Sequence, residues 1–593
     1  MKKPPSSQIS NAVRSFATFL SGCLLFIWSL GYVASAPNPT RNLHIQISPS
    51  YNSLPLSFDS FSLTNASGQT LSVTRLDLLL SDFAFRGVDG TWVQPTNSQA
   101  FISLHENLSD FELKNLPTGT YDRIRFHIGL HPAINHSNPA QYAPHHPLNP
   151  NLNGMHWGWT GGYVFFAWEG AWQTSDGKLS GYSFHLGNDP MLMTAEVPVN
   201  LSLEQDQNLT LAFNLNDLLN FKMSEDTSTT HSRAGDELAA RLKQKMEGAF
   251  TASITKGPAH NPAPAPVAAV NPAPDGQTAS KATPYRFTIS SQFPIPDLPH
   301  DNPLTEEGVE LGHQLFNEKL LSINNSQSCA SCHRAEAAFA DRGQRASAGA
   351  EGKMGTRNAM PIFNLAWKKS FFWDGRAASL REQALKPIEN PIEMHESAAN
   401  AVKKLASTRL YPLLFERAFG TPEITSDRLA RAFEQFLLSQ VSFNSRFDRA
   451  LEGKETFTDE EKRGFELFMT EYDPRRGQFG ADCFHCHSGP FFSTHGFANN
   501  GLDSTFQDLG RYEVTHNEAD KARFAVPSLR NVELTGPYMH DGRFKTLEEV
   551  IEHYSTGMQR SVTLDPNLAK HPDGGVPLSP ADKKALVISF PNK

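Results

Sequence analysis

Two pentapeptides constrain this chain more than any other feature: Cys329-Ala-Ser-Cys332-His333 and Cys483-Phe-His-Cys486-His487. Each is a C-x-x-C-H box, the attachment signature of a c-type haem. In that reading Cys329 and Cys332, and again Cys483 and Cys486, add to the vinyl groups of a haem, while His333 and His487 become axial iron ligands. The competing reading of C-x-x-C is a zinc or thioredoxin-type site. The two boxes lie too far apart for a zinc ribbon, and both end in histidine. The chain has five cysteines. Four are in the boxes and the fifth, Cys23, is near the N-terminus, so no pair is left for a structural disulfide. Two haems mean redox chemistry and a fold built to hold them.

Residues 1–36 read as an export leader. Lys2, Lys3 and Arg14 accompany an apolar run through Leu20 to Tyr32, and Ala34-Ser-Ala36 resembles a cleavage site. Three readings stay open: a cleaved signal peptide, a lipoprotein box at Leu20-Ser-Gly-Cys23, and an uncleaved membrane anchor, since the run approaches the ~20 residues a span needs. Each places the chain in the periplasm, where bacterial haem attachment takes place. A formal charge of −9 gives no basis for nucleic-acid binding.

At 593 residues the chain exceeds a single domain. Residues 41–253 carry short alternating segments such as Leu43–Ile47, Leu71–Leu80, Phe83–Phe85 and Tyr121–Ile128, separated by Gly, Asn and Asp, and predict an antiparallel β-sandwich. Residues 131–154, rich in His, Pro and Asn, read as a long loop. Residues 256–285 form a Pro/Ala linker. Beyond it the pattern turns helical: Thr305–Phe316, then the first box; Thr456–Phe468, then the second. The repetition predicts two mainly α cytochrome c-like domains, 286–445 and 446–593.

The helical half closely resembles the bacterial di-haem cytochrome c peroxidase superfamily, including its MauG and MbnH branch. The resemblance rests on Arg357–Asn364, Phe372–Arg376, Glu382–Met394 and Val526–Phe544. It implies a peroxide-using oxidoreductase with two covalent haems. Glu393 then corresponds to the distal acid that moves a proton between peroxide oxygens, Gln383 and Pro387 to other distal residues, and Trp373 to a relay between the haems. Asn358, Thr535 and Pro537 correspond to a calcium site. No histidine lies between His333 and His395, so the first iron is expected to be open. For the second haem, Thr546-Leu-Glu-Glu549 is a capping box opening a helix that Gly557 stops. On that helix Tyr554 stands where ordinary peroxidases of the superfamily place methionine. At its spacing from Thr535, MauG-like proteins place a tyrosine ligand. The structural alternative is that Tyr554 completes an apolar stripe with Leu547, Val550 and Ile551.

Gly154-Met-His-Trp-Gly-Trp-Thr-Gly-Gly-Tyr163 and Phe184-His-Leu-Gly187 resemble the MbnP family of copper proteins, in which a tryptophan oxidised to kynurenine lies close to histidine ligands. This makes His156 and His185 candidate copper ligands and Trp157 and Trp159 candidates for oxidation. The tryptophans would also share one face of a strand, as core or surface aromatics. The expectation is a peroxide-driven enzyme whose substrate is its own N-terminal domain. The alternatives are a detoxifying peroxidase fed by a small periplasmic donor, and a copper-binding surface protein with an electron-transfer module.

Overall fold

Strict alternation makes Met193–Ser202 a half-buried strand, its residues buried and exposed by turns along its whole length. It lies at the edge of a nine-stranded sheet whose order continues through Thr120–Ile128, Thr70–Gly87, Val164–Gln173, Leu179–Gly187 and Thr229–Thr230. The computed structural model describes residues 39–157, 161–233, 235–255 and 282–588. The leader, most of the linker and Trp159 lie outside the described residues.

Thr70–Gly87 joins into one strand the two segments read separately at Leu71–Leu80 and Phe83–Phe85. Leu76 to Ser81 are all buried, as expected of a strand covered on both faces. A second, five-stranded sheet contains Phe250–Thr255, Gln207–Asn214, Thr40–Tyr51 and Asp110–Pro117. The sheets share one apolar core, with Phe126 against Phe250 at 5.3 Å and Phe83 against Phe111 at 5.2 Å between ring centroids.

The domain is a sandwich, but its pairing is mixed rather than wholly antiparallel. Thr40–Tyr51 runs parallel to Gln207–Asn214, and Leu179–Gly187 runs parallel to Thr229–Thr230. Alternation reports which face is buried, not which way the neighbour runs. Here the chain builds most of the larger sheet before returning to its first strand. The predicted long loop holds three short helical turns, Pro132–Asn135, Pro139–Gln141 and Pro150–Asn153. Each opens on a proline, whose missing N–H costs nothing at a helix start.

In the helical half, Thr305 caps Glu306–Phe316, and Thr458 caps Asp459–Met469 in a capping box with Glu461. Each helix precedes a haem box, and each box begins as one 3-10 turn, Cys329–Ser331 and Cys483–His485. The two halves have separate apolar clusters. Among the described residues no helix is long and apolar enough to cross a membrane.

The β domain meets the second haem half at the strand Leu179–Gly187. The helix Pro566–Ala569 crosses it at Gly181, where a β-carbon would collide with the Pro566 carbonyl. Asn567 Nδ2 donates to Glu169 Oε2 at 3.1 Å, and Arg476 pairs with Asp236 at 3.1 Å.

Candidate active site

Cys329, Cys332 and His333 line a cavity of about 1300 Å³. His333 Nδ1 lies 2.8 Å from the Phe339 carbonyl, so Nδ1 carries the proton and Nε2 presents its lone pair. Burial lowers the His333 pKa and keeps the ring neutral. Paired thiols, a neutral oriented imidazole and a cavity of this size fit a haem c.

Gln383, Pro387 and Glu393 line the same cavity. The first two sit one turn apart on Leu380–Glu389, a helix capped by Ser379. Glu393 follows on a tight turn, where Asn390 Nδ2 donates to its Oε1 at 2.7 Å. Burial pushes the Glu393 carboxyl above its ordinary pKa, against the pull of that hydrogen bond. His395 does not line the cavity; its Nδ1 lies 2.9 Å from Glu351. His540 does line it, with its ring stacked on Phe524 at 3.6 Å between centroids.

Trp373 occupies the seam between the haem halves. Its indole Nε1 donates to the Asn358 carbonyl at 2.9 Å, and its own carbonyl accepts from Ala525 N at 2.8 Å. It packs with Ala522 and Phe524. Of the calcium candidates, Asn358 touches Trp373 directly, while the Thr535–Pro537 segment is tied in through its neighbour Gly536. Asn358 N donates to the His540 carbonyl at 2.7 Å, and Gly343 N donates to the carbonyl of Gly536, between Thr535 and Pro537, at 2.9 Å.

At the second box His487 Nδ1 lies 3.1 Å from the Phe492 carbonyl, the same orientation device as at His333. The Thr546–Glu549 capping box is present and opens Leu547–Glu552. The helix then widens into a π turn, His553–Gly557, instead of running on as α. Such turns re-aim single side chains, and this one carries Tyr554. Burial pushes the Tyr554 phenol above its ordinary pKa. Its ring meets that of His553 at 5.0 Å between centroids.

The MbnP-like motifs touch at Trp157 and Gly187, but their histidines have different neighbours. His156 is bridged to Tyr163, their rings edge to face at 4.6 Å, and burial lowers its pKa to about 4. Trp157 is not on a regular strand. Its indole lies over Gly187, where a β-carbon would meet it at 2.8 Å. His185 joins a different set, buried where the β domain meets the second box. His185 Nε2 lies 2.8 Å from Glu169, its Nδ1 lies 3.0 Å from His231 Nε2, and His231 Nδ1 lies 2.7 Å from Glu471. His485, inside the second box, is 2.9 Å from Asp482. Lys570 spans Asp482 and Glu471 at 3.0 and 3.4 Å. His231 and His485 were not singled out from the sequence. The one available signal was the extra histidine inside the second haem box, which carries two where the first carries one.

The peroxidase family model, described as di-haem cytochrome c peroxidase, matches residues 306–456, and the MbnP family model matches residues 40–233. A cytochrome c551 peroxidase of Nitrosomonas europaea is 37% identical over 269 residues, covering 44% of this chain and 77% of that protein. The methylamine utilization protein MauG of Methylorubrum extorquens is 37% identical over 283 residues, covering 46% and 77%. Among solved structures, that of a MauG-like protein associated with microbial copper homeostasis is 32% identical. It covers 52% of this chain and 94% of that one, with a TM-score of 0.46.

Proposed function

Because this chain belongs to the di-haem cytochrome c peroxidase family of oxidoreductases and carries an MbnP-like domain ahead of it, we propose that it uses hydrogen peroxide to oxidise a tryptophan of its own N-terminal domain. Trp157 is the favoured residue, and the oxidised side chain would adjoin a copper site that includes His185. The observation carrying this reading is the buried junction that links the two partners. The His185 and His485 rings are 5.6 Å apart, one in the β domain and one between the cysteines of the second box. The Trp157 indole lies over Gly187, two residues along from His185.

Haems held by Cys329, Cys332 and His333 and by Cys483, Cys486 and His487 would supply a peroxide-reactive iron and a place to hold oxidising equivalents. The chain does the rest. Glu393, with its raised pKa, accepts a proton from one peroxide oxygen and returns it to the other. Trp373 offers an indole at the seam for electrons passing between the halves. A calcium ion held by oxygens of Asn358, Thr535 and Pro537 would fix that seam. Tyr554, as a phenolate on the second iron, would favour its oxidised states over the reduced one. Two molecules of peroxide convert tryptophan to N-formylkynurenine and two waters; hydrolysis then leaves kynurenine and formate. The setting of Glu393 serves equally a peroxidase fed by a small periplasmic donor.

The test is a peptide mass map of the exported, haem-loaded protein before and after peroxide. The proposal expects the peptide around Gly154–Gly162 to gain two oxygens and then lose the formyl carbon. An unmodified peptide, with rapid turnover on a small cytochrome donor, would replace this reading with the detoxifying one.

A further inference from the structure

The polar junction between the domains has a proton deficit. Glu169, His185, His231 and Glu471 form a chain with three successive contacts of 2.8, 3.0 and 2.7 Å. Each contact between two lone pairs needs a proton or another cation between them. Two neutral imidazoles bring two protons. A third would make an imidazolium, a further charge buried among side chains that are almost wholly shut off from water. Nor do the neighbouring cations fill the gap. Arg75 is shared by Glu169 and Asp77, and Lys570 by Glu471, Asp482 and His485 Nε2 at 3.4, 3.0 and 3.2 Å, so neither enters the three contacts of the chain.

His485 completes the geometry. Nitrogens of His185, His231 and His485 all lie within 4.8 Å of one another. The side chains are almost fully buried, at 6%, 6% and 3% exposure. Bonds of about 2.0–2.1 Å at a tetrahedral angle set two ligating nitrogens about 3.3 Å apart, close to the 3.0 Å between His185 Nδ1 and His231 Nε2. The outward nitrogens face Glu169 and Glu471, the arrangement in which a carboxylate orients a metal-bound imidazole. Imidazole nitrogen without sulfur selects late first-row ions.

We propose that His185, His231 and His485 bind one copper or zinc ion that bridges the β domain and the second haem box. The ligand set crosses the domain boundary and excludes His156. It extends the copper part of the reading above and does not depend on tryptophan oxidation.

The test uses the full, haem-loaded chain, never exposed to peroxide, stripped with a chelator and titrated separately with cupric and zinc ions. Metal is counted by elemental analysis after desalting, with two irons per chain as the check that each variant is folded. The expected result is one retained copper or zinc per chain. His231→Gln and His485→Gln should each lose it, Glu169→Gln should weaken it by about 10–100-fold, and His156→Gln should retain it. No retained metal in the parent chain, or loss confined to His156→Gln, overturns the proposal. A protein whose tryptophan is oxidised by peroxide yet binds no metal here refutes this inference alone. One that binds metal here while its tryptophan survives peroxide refutes the earlier reading alone.

Discussion

The carbonyl oxygen of Pro566 occupies the space in which Gly181 would carry a β-carbon. One helix of the second haem half thereby lies directly on the backbone of a β-domain strand. That contact brings Asn567 to Glu169 and seats the polar junction behind it.

Gly181→Val should break this seating without disturbing either core. Overpacking costs about 1–3 kcal/mol, spent here on the domain contact. Hydrogen exchange should show faster exchange along Leu179–Gly187 and Pro566–Ala569 and little change in Phe126 or Leu311. Unchanged exchange at the contact would mean that the domains are held elsewhere.

Glu393→Gln should slow the reaction with peroxide by about 10²–10⁴-fold while both haems remain attached. Burial raises this carboxyl, so the parent's rate should climb with pH through an apparent pKa above that of an ordinary glutamate. The variant should lack that limb. The linkage sign is fixed too. A raised carboxyl pKa stabilises the fold most at low pH, and that contribution fades as pH rises through its folded value. A profile with its limb at the ordinary glutamate value would remove Glu393 from the proton transfer.

Trp373→Phe keeps the packing against Ala522 and Phe524 but removes the indole N–H that meets Asn358. Peroxide should still react at the first site, while the oxidised signature of the second haem appears at least tenfold more slowly in stopped-flow spectra. Equal rates in both proteins would make Trp373 purely structural.

Tyr554→Met exchanges a phenol for a thioether. The second haem's reduction potential should rise and its visible spectrum should change, because thioether ligation favours ferrous iron. An unchanged second-haem spectrum would show that the phenol is not a ligand.

The haem boxes, the Thr305 and Thr458 helix starts and the Thr546–Glu549 capping box were legible because each is a local pattern whose chemistry is complete within a few residues. Strand burial was legible for the same reason. The parallel pairing of Thr40–Tyr51 with Gln207–Asn214 was not, since side-chain alternation carries no direction. The π turn at His553–Gly557 was hidden because nothing in its composition distinguishes it from a continuing α-helix. His185, His231 and His485 come from distant parts of the chain and meet only when two domains dock. His485 in isolation reads as one of the two variable residues in its box.

The Gly181–Pro566 contact also bears on kinetics. Two domains already pressed together have no encounter to wait for, so any electron crossing between them moves at a rate independent of dilution. Added salt, which screens the approach of separate charged partners, would leave it untouched. Under the proposed function such a chain would react once with itself and then stop, so its natural unit of work would be the single copy rather than the turnover.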